Sequence, residues 1–193
     1  MTYKSSRKNQ AKILRGFRKV HRITGAFLFI FFFIVAISGI TLGWKNNSNG
    51  FILPKSQIGT TTELEKWLPL NKLNSIASTV LKDSISKDLS PELNRIDVRK
   101  EKGIVKFLYE NHYWEIQLDG ATGKILQIAK RNSDLFEDIH DGTILDNYFN
   151  TTKSQFKLIY TSIMGSALLL FTITGFWLWY GPKRMKKRSL KQA

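Results

Sequence analysis

Cysteine is absent from all 193 residues, which excludes disulfides, thiolate metal sites and a cysteine nucleophile. Acidic residues are missing from both ends: none precedes Glu63 and none follows Asp146. Histidine occurs only at His21, His112 and His140. No HExxH pair, Gly-rich phosphate loop or Ser-His-Asp set can be assembled, so no catalytic constellation is read. Two stretches lack charge altogether, Ile23 to Gly43 and Leu158 to Tyr180. Without an ionisable side chain, they also lack the usual markers of a proton relay or ion path through a bilayer.

What those two stretches do contain is Phe, Ile and Leu, with Val in the first, over more than 20 residues each. At about 1.5 Å of rise per helical residue, either is long enough for a hydrocarbon core of about 30 Å. The basic residues follow the same division. Eight Lys and Arg precede the first stretch and six follow the second, while the remaining 16 nearly balance the 15 acids. Basic flanks at both ends predict cytoplasmic termini and a middle segment outside. The charge of +15 is therefore expected to meet anionic membrane lipid. Nucleic acid is not expected, since no aromatic residues interleave with the tail charges to make a stacking surface. The first stretch exceeds a secretory core and no convincing cleavage site follows it, so it is read as an anchor.

Between the spans, apolar residues at Leu70, Leu73, Ile76, Ala77, Val80 and Leu81 give the stripe of an amphipathic helix. Alternation at Ile96 and Val98, then at Ile104, Val105, Phe107 and Tyr109, predicts two strands around a turn at Glu101 to Gly103. Tyr113 to Leu118 and Lys124 to Ala129 predict two more, separated by the turn cluster Asp119 to Gly123. Ser133 to Ile144 reads as a short amphipathic helix on the membrane surface, and Pro182 is expected to end the second span. The fold class is thus membrane α+β: two antiparallel transmembrane helices flanking a small extracytoplasmic helix plus antiparallel β-meander. The predicted divisions are a basic tail with an amphipathic helix (1–22), a first span (23–44), a linker (45–69) and a helix-and-meander domain (70–131). An interfacial segment (132–157), a second span (158–180) and a basic tail (181–193) complete the chain. A core of this size is expected to be marginal without support from the membrane or a partner.

In their order and topology these elements resemble the PepSY-associated transmembrane family of bacterial envelope proteins. Val20-His21-Arg22-Ile23-Thr24-Gly25 is similar to that family's His-Arg-x-x-Gly opening, and Ile37-Ser38-Gly39-Ile40-Thr41 to its small-residue exit. Ile139-His140-Asp141-Gly142 resembles its Leu-His-x-Gly segment. Thr172-Ile173-Thr174-Gly175-Phe176-Trp177-Leu178-Trp179 resembles its Thr-Gly-x-x-Leu-Trp closing helix. Leu118 to Leu126 is similar to the last hairpin of a PepSY repeat, with its Asp-x-x-Thr-Gly-x-x-Leu pattern. The resemblance covers roughly residues 13 to 185. Many relatives have four or more spans and two PepSY units, whereas this chain has two spans and one unit, so functions that need four helices do not carry over.

The resemblance implies a bacterial inner-membrane protein, and it suggests three readings. The first is a non-catalytic binding or accessory protein that presents its outer domain to another membrane or envelope protein, or assembles as a homo-oligomer. The second is a redox protein of iron or siderophore acquisition, with His21 and His140 as ligands of haem b. The third is a regulator of an extracytoplasmic protease. Each histidine also has a plain reading: His21 as an interfacial residue, His140 as a polar residue of a surface helix, His112 as structural. His21 and His140 are expected on opposite sides of the membrane, so a haem with two protein ligands would need a homodimer or a histidine from another subunit. Glu137, Asp138, Asp141 and Asp146 could gather a cation, though such clusters are more often the solvated face of a helix. Gly39 with Gly43, Ser162 with Ser166, and Gly175 are expected to let the spans approach closely.

Overall fold

In the computed structural model, residues 3–151 and 154–190 are described. The elements run α1 (Tyr3–Gly43), α2 (Leu70–Ser84), β1 (Leu93–Arg99), β2 (Ile104–Tyr109), β3 (Trp114–Asp119), β4 (Ile125–Lys130), α3 (Asn132–Asp141), α4 (Thr143–Phe149) and α5 (Gln155–Leu190). The chain forms two compact units, one of Met1–Ile37 with Asp141–Ala193 and one of Ser38–His140.

The first unit is an antiparallel helix pair. α1 and α5 contain stretches long and apolar enough to cross a membrane, Lys8–Gly43 and Gln155–Lys187. Phe27, Phe33 and Leu169 point outward, the reverse of a core helix in a water-soluble protein. Aromatic contacts set the register. Phe17 stacks on Trp177 with ring centroids 6.3 Å apart, Phe32 meets Phe171 edge to face at 5.2 Å, and Phe31 meets Tyr160 at 6.4 Å.

Two local expectations are corrected here. α5 does not stop at Pro182 but continues through it to Leu190. The ring removes one N–H and leaves the carbonyl four residues back without its helical partner; a single lost bond does not end a helix supported on both sides. The helix expected from Ser133 to Ile144 is two helices, α3 and α4, divided at Gly142, whose φ is +84°. A side chain at Gly142 would meet the Tyr160 ring 2.9 Å away. The chain thus needs glycine here both for its backbone angle and for close approach. Asp146 of α4 is buried and accepts from the backbone N–H groups of Phe156 and Lys157 at 3.0 and 2.7 Å, and from the Thr151 hydroxyl. It thereby satisfies amides at the start of α5 that have no partner within the helix.

The second unit is built on a four-stranded antiparallel sheet in the order β1-β2-β3-β4. Val105 pairs with Leu118 and Phe107 with Ile116. These four side chains pack with Leu73, Ala77, Val80 and Leu81 of α2 into one buried core. The alternation of β3 sends Glu115, Gln117 and Asp119 to the opposite face, where a two-layer fold would leave them in water. They are instead 0%, 0% and 3% exposed, because the segment at 51–61 lies across that face. The Gln57 amide donates to Gln117 Oε1 at 2.9 Å, Gln117 Nε2 donates to the Lys55 carbonyl at 3.0 Å, and the Thr60 amide donates to Asp119 Oδ2 at 2.7 Å. Gly59 is held to the Lys102 carbonyl at 2.7 Å, and Ser133 to the Ile52 carbonyl at 2.8 Å. What the composition suggests is a linker is a strap that forms the third layer of the unit.

Candidate functional site

The two histidines singled out by sequence occupy separate places, each paired with a helix hydroxyl. On α1, His21 Nδ1 lies 2.8 Å from Thr174 Oγ1 of α5. The His21 ring stands edge to face with Phe171, centroids 4.4 Å apart. Gly25, one turn along α1, lets Phe171 approach, since a Cβ there would be 3.1 Å from the ring. On α3, His140 Nδ1 lies 2.9 Å from Ser38 Oγ near the C-terminal end of α1. The His140 ring rests against Gly39, where a Cβ would be 3.4 Å from Cε1. Thr174 Oγ1 also lies 2.7 Å from the Leu170 carbonyl; with its hydroxyl donating there, it accepts from His21 Nδ1–H. Neither Nε2 makes a hydrogen bond among the described residues.

The four membrane-associated motif segments are therefore brought together in two pairs. The His-Arg-x-x-Gly opening meets the Thr-Gly closing helix through His21 and Thr174. The Leu-His-x-Gly segment meets the Ser-Gly exit through His140 and Ser38. Sequence reasoning flagged both histidines but not their partners. The available signal was a hydroxyl residue followed directly by glycine within each apolar span, Ser38-Gly39 and Thr174-Gly175.

The PepSY-type hairpin motif has a mechanical role here. Asp119 Oδ1 accepts from the amides of Ala121 and Thr122 at 2.9 and 3.0 Å, closing the turn, while Oδ2 accepts from the Thr60 amide and hydroxyl. Burial opposes ionisation of Asp119, but these hydrogen bonds outweigh it and hold the carboxyl below its usual range. The chain belongs to the PepSY-associated TM region family. That family's sequence model matches residues 6–193, nearly the whole chain, and two apolar helices around a helix and an antiparallel sheet are the architecture it implies. No curated protein and no solved structure matches the chain. For this PepSY-associated protein the comparison establishes a membrane protein with a PepSY-type domain.

Around that hairpin lies a buried charge network. Glu115 accepts from Lys106 at 3.1 Å, from Arg131 at 2.6 Å and from Gln117 at 2.6 Å. Arg131 also pairs with Asp134 at 3.0 Å, and Arg95 of β1 reaches Asp134 at 3.3 Å. Burial pushes the Lys106 ammonium below its ordinary value despite the Glu115 carboxylate beside it. These pairs connect β1, β2 and β3 to Asp134 at the start of α3.

The acids near His140 do not converge on one point. Asp138 accepts from the Tyr113 hydroxyl at 2.8 Å, Asp141 pairs with Lys157 at 2.5 Å and Asp146 caps α5. Burial opposes ionisation of Asp141, and the Lys157 and Thr143 contacts outweigh it, lowering its value. Among the described residues no group of three or more His, Asp or Glu could hold a metal ion. His112 Nε2 bonds the Ser90 carbonyl at 3.1 Å.

The small residues expected at the helix contact are placed differently. Gly175 lies beside His21, with a Cβ 3.8 Å from its ring, and Gly39 lies against His140. Gly43 faces open space, and Ser162 and Ser166 are exposed. The reason is angular. The buried face of α5 runs through Met164, Ala167 and Thr174, and at about 100° per residue both serines fall on other faces. Gly25 and Gly181 make the close approaches within the helix pair instead, the latter against Leu14.

Proposed function

We propose that this protein is a non-catalytic accessory protein of the bacterial inner (cytoplasmic) membrane. It crosses twice with both termini in the cytoplasm and presents its PepSY-type unit outside to a partner in the membrane or envelope. The orientation follows from the basic flanks. The observation that carries the docking role is the strap: its backbone is fixed to Gln117 and Asp119, yet Phe51 and Ile58 stand 75% and 80% exposed. Large apolar side chains held out on a fixed backbone favour association, since their ordering is already complete. A photo-crosslinking residue at Ile58, introduced into the full chain in cells, is expected to give a discrete protein adduct that is absent when the probe replaces Lys82 on α2. Identical adduct patterns from both positions would refute the docking role.

A second reading, haem-dependent redox chemistry in iron acquisition, is favoured by one observation. Both histidines are oriented through Nδ1 and leave Nε2 unbonded, the state an axial ligand takes, with its other nitrogen fixed by a neighbour. His21 and His140 fit that role singly, and bound haem would supply one-electron chemistry. In the proposed topology they lie on opposite membrane sides, so a second protein ligand would come from another copy or subunit. A Soret band in the detergent-purified protein that is lost in His21→Ala or His140→Ala supports this reading. Colourless protein from haem-replete cells excludes it.

A further inference from the structure

Where α1 and α5 leave the apolar stretches, at the end of the pair carrying both chain termini, they enclose a groove of about 360 Å³. Ile13, Leu14 and Phe17 line it from α1 and Trp177, Gly181 and Met185 from α5, with Arg184 among the lining residues. Gly181 brings the helices together at this point, since a Cβ there would lie 2.5 Å from the Leu14 side chain. The groove is therefore apolar along its walls and cationic at Arg184. Around it the sequence places Lys12, Arg15, Arg18 and Lys183, and no Asp or Glu occurs in residues 1–62 or 147–193. Arg184 makes no ion pair among the described residues. Nothing in these stretches of the chain can neutralise this end of the helix pair.

We propose that this groove is a binding site for one anionic phospholipid, with an acyl chain against Ile13, Phe17 and Trp177 and the headgroup phosphate at Arg184. An apolar cleft beside unopposed guanidinium and ammonium groups requires a ligand that is apolar and anionic at once, and Arg is suited to bidentate phosphate contact. Basic clefts between transmembrane helices recognise acidic headgroups by this combination. The site is separate from both histidines and does not depend on the docking or haem readings.

The full chain, purified in mild detergent and titrated with phosphatidylglycerol or phosphatidylcholine under native mass spectrometry, tests the proposal. One phosphatidylglycerol should be retained in preference to phosphatidylcholine. Arg184→Gln should weaken that retention roughly fivefold, the worth of one surface cation at about 1 kcal/mol. Lys187→Gln, at an exposed residue outside the groove lining, should leave it unchanged, and Ile13→Trp should displace the lipid by filling the groove. Equal retention of the two lipids, or equal losses in R184Q and K187Q, overturns the proposal in favour of diffuse charge attraction. A dimer that I13W dissociates would assign the groove to a second copy instead. Circular dichroism of each variant guards against misreading an unfolded helix pair as lost affinity.

Discussion

At the scale of single residues, the sheet-containing unit depends on carboxylates buried where alternation alone would put them in water. Glu115 is the clearest case, since it stands between Lys106 and Arg131 with no exposure of its own. Replacing it with Gln leaves two cations facing an uncharged group, and breaking a buried pair in this way costs about 3–5 kcal/mol. Hydrogen exchange of the β2 and β3 amides in the full chain should therefore accelerate by more than a hundredfold; unchanged protection would contradict the network's role. Asp119 adds a pH dependence. Its folded value lies below the unfolded reference of about 3.9, so its stabilisation is complete above that reference and is lost as pH falls through the lower folded value. Asp119→Asn should flatten this acid limb of the stability profile. Because Asp141 and Asp146 are also lowered, some acid sensitivity should persist in the variant. Between His21 and Thr174, the Thr174→Val change should cost about 0.6 kcal/mol and no more than about 1.7, the range for polar contacts between membrane helices. A double-mutant cycle with His21→Phe checks it.

At the scale of elements, the parts legible in the sequence were those with a repeating pattern. The stripe of α2 and the alternation of β2 and β3 follow from side-chain periodicity, and both apolar spans from their length. The strap was not legible, because Pro, Ser, Gly and Thr there leave its apolar residues without a period. Its attachment runs through backbone amides to Gln117 and Asp119, which are distant in sequence. The division of α3 from α4 was hidden for a related reason. Gly142 breaks a helical pattern only because its backbone is left-handed and Tyr160 fills the space beside it. Among the candidate site residues, both histidines were visible as motif members, whereas Ser162 and Ser166 matched a small-residue spacing on the wrong face of α5. The strap gives a further prediction. Gly120 is so close to Trp67 that a Cβ would lie 2.5 Å from the indole, so Gly120→Ala should displace Trp67 and expose the Gly59 and Thr60 amides. Increased exchange at those two amides, with β2 still protected, is the expected signature. Loss of protection throughout the sheet would mean that strap and sheet unfold together.

At the scale of the whole molecule, membership of the PepSY-associated TM region family and two apolar helices establish a membrane protein with a PepSY-type unit. The account goes further and assigns each segment a side of the membrane. The absence of cysteine makes that assignment directly measurable, because a single introduced thiol is the only one in the chain. Lys87, exposed between α2 and β1, and Lys12 and Lys187, exposed on α1 and α5, are suitable positions. Single-cysteine variants at these sites would be treated with a membrane-impermeant maleimide on intact spheroplasts. The account predicts immediate labelling of K87C, with K12C and K187C protected until the membrane is permeabilised. Labelling of K12C or K187C before permeabilisation, with K87C protected, would contradict it.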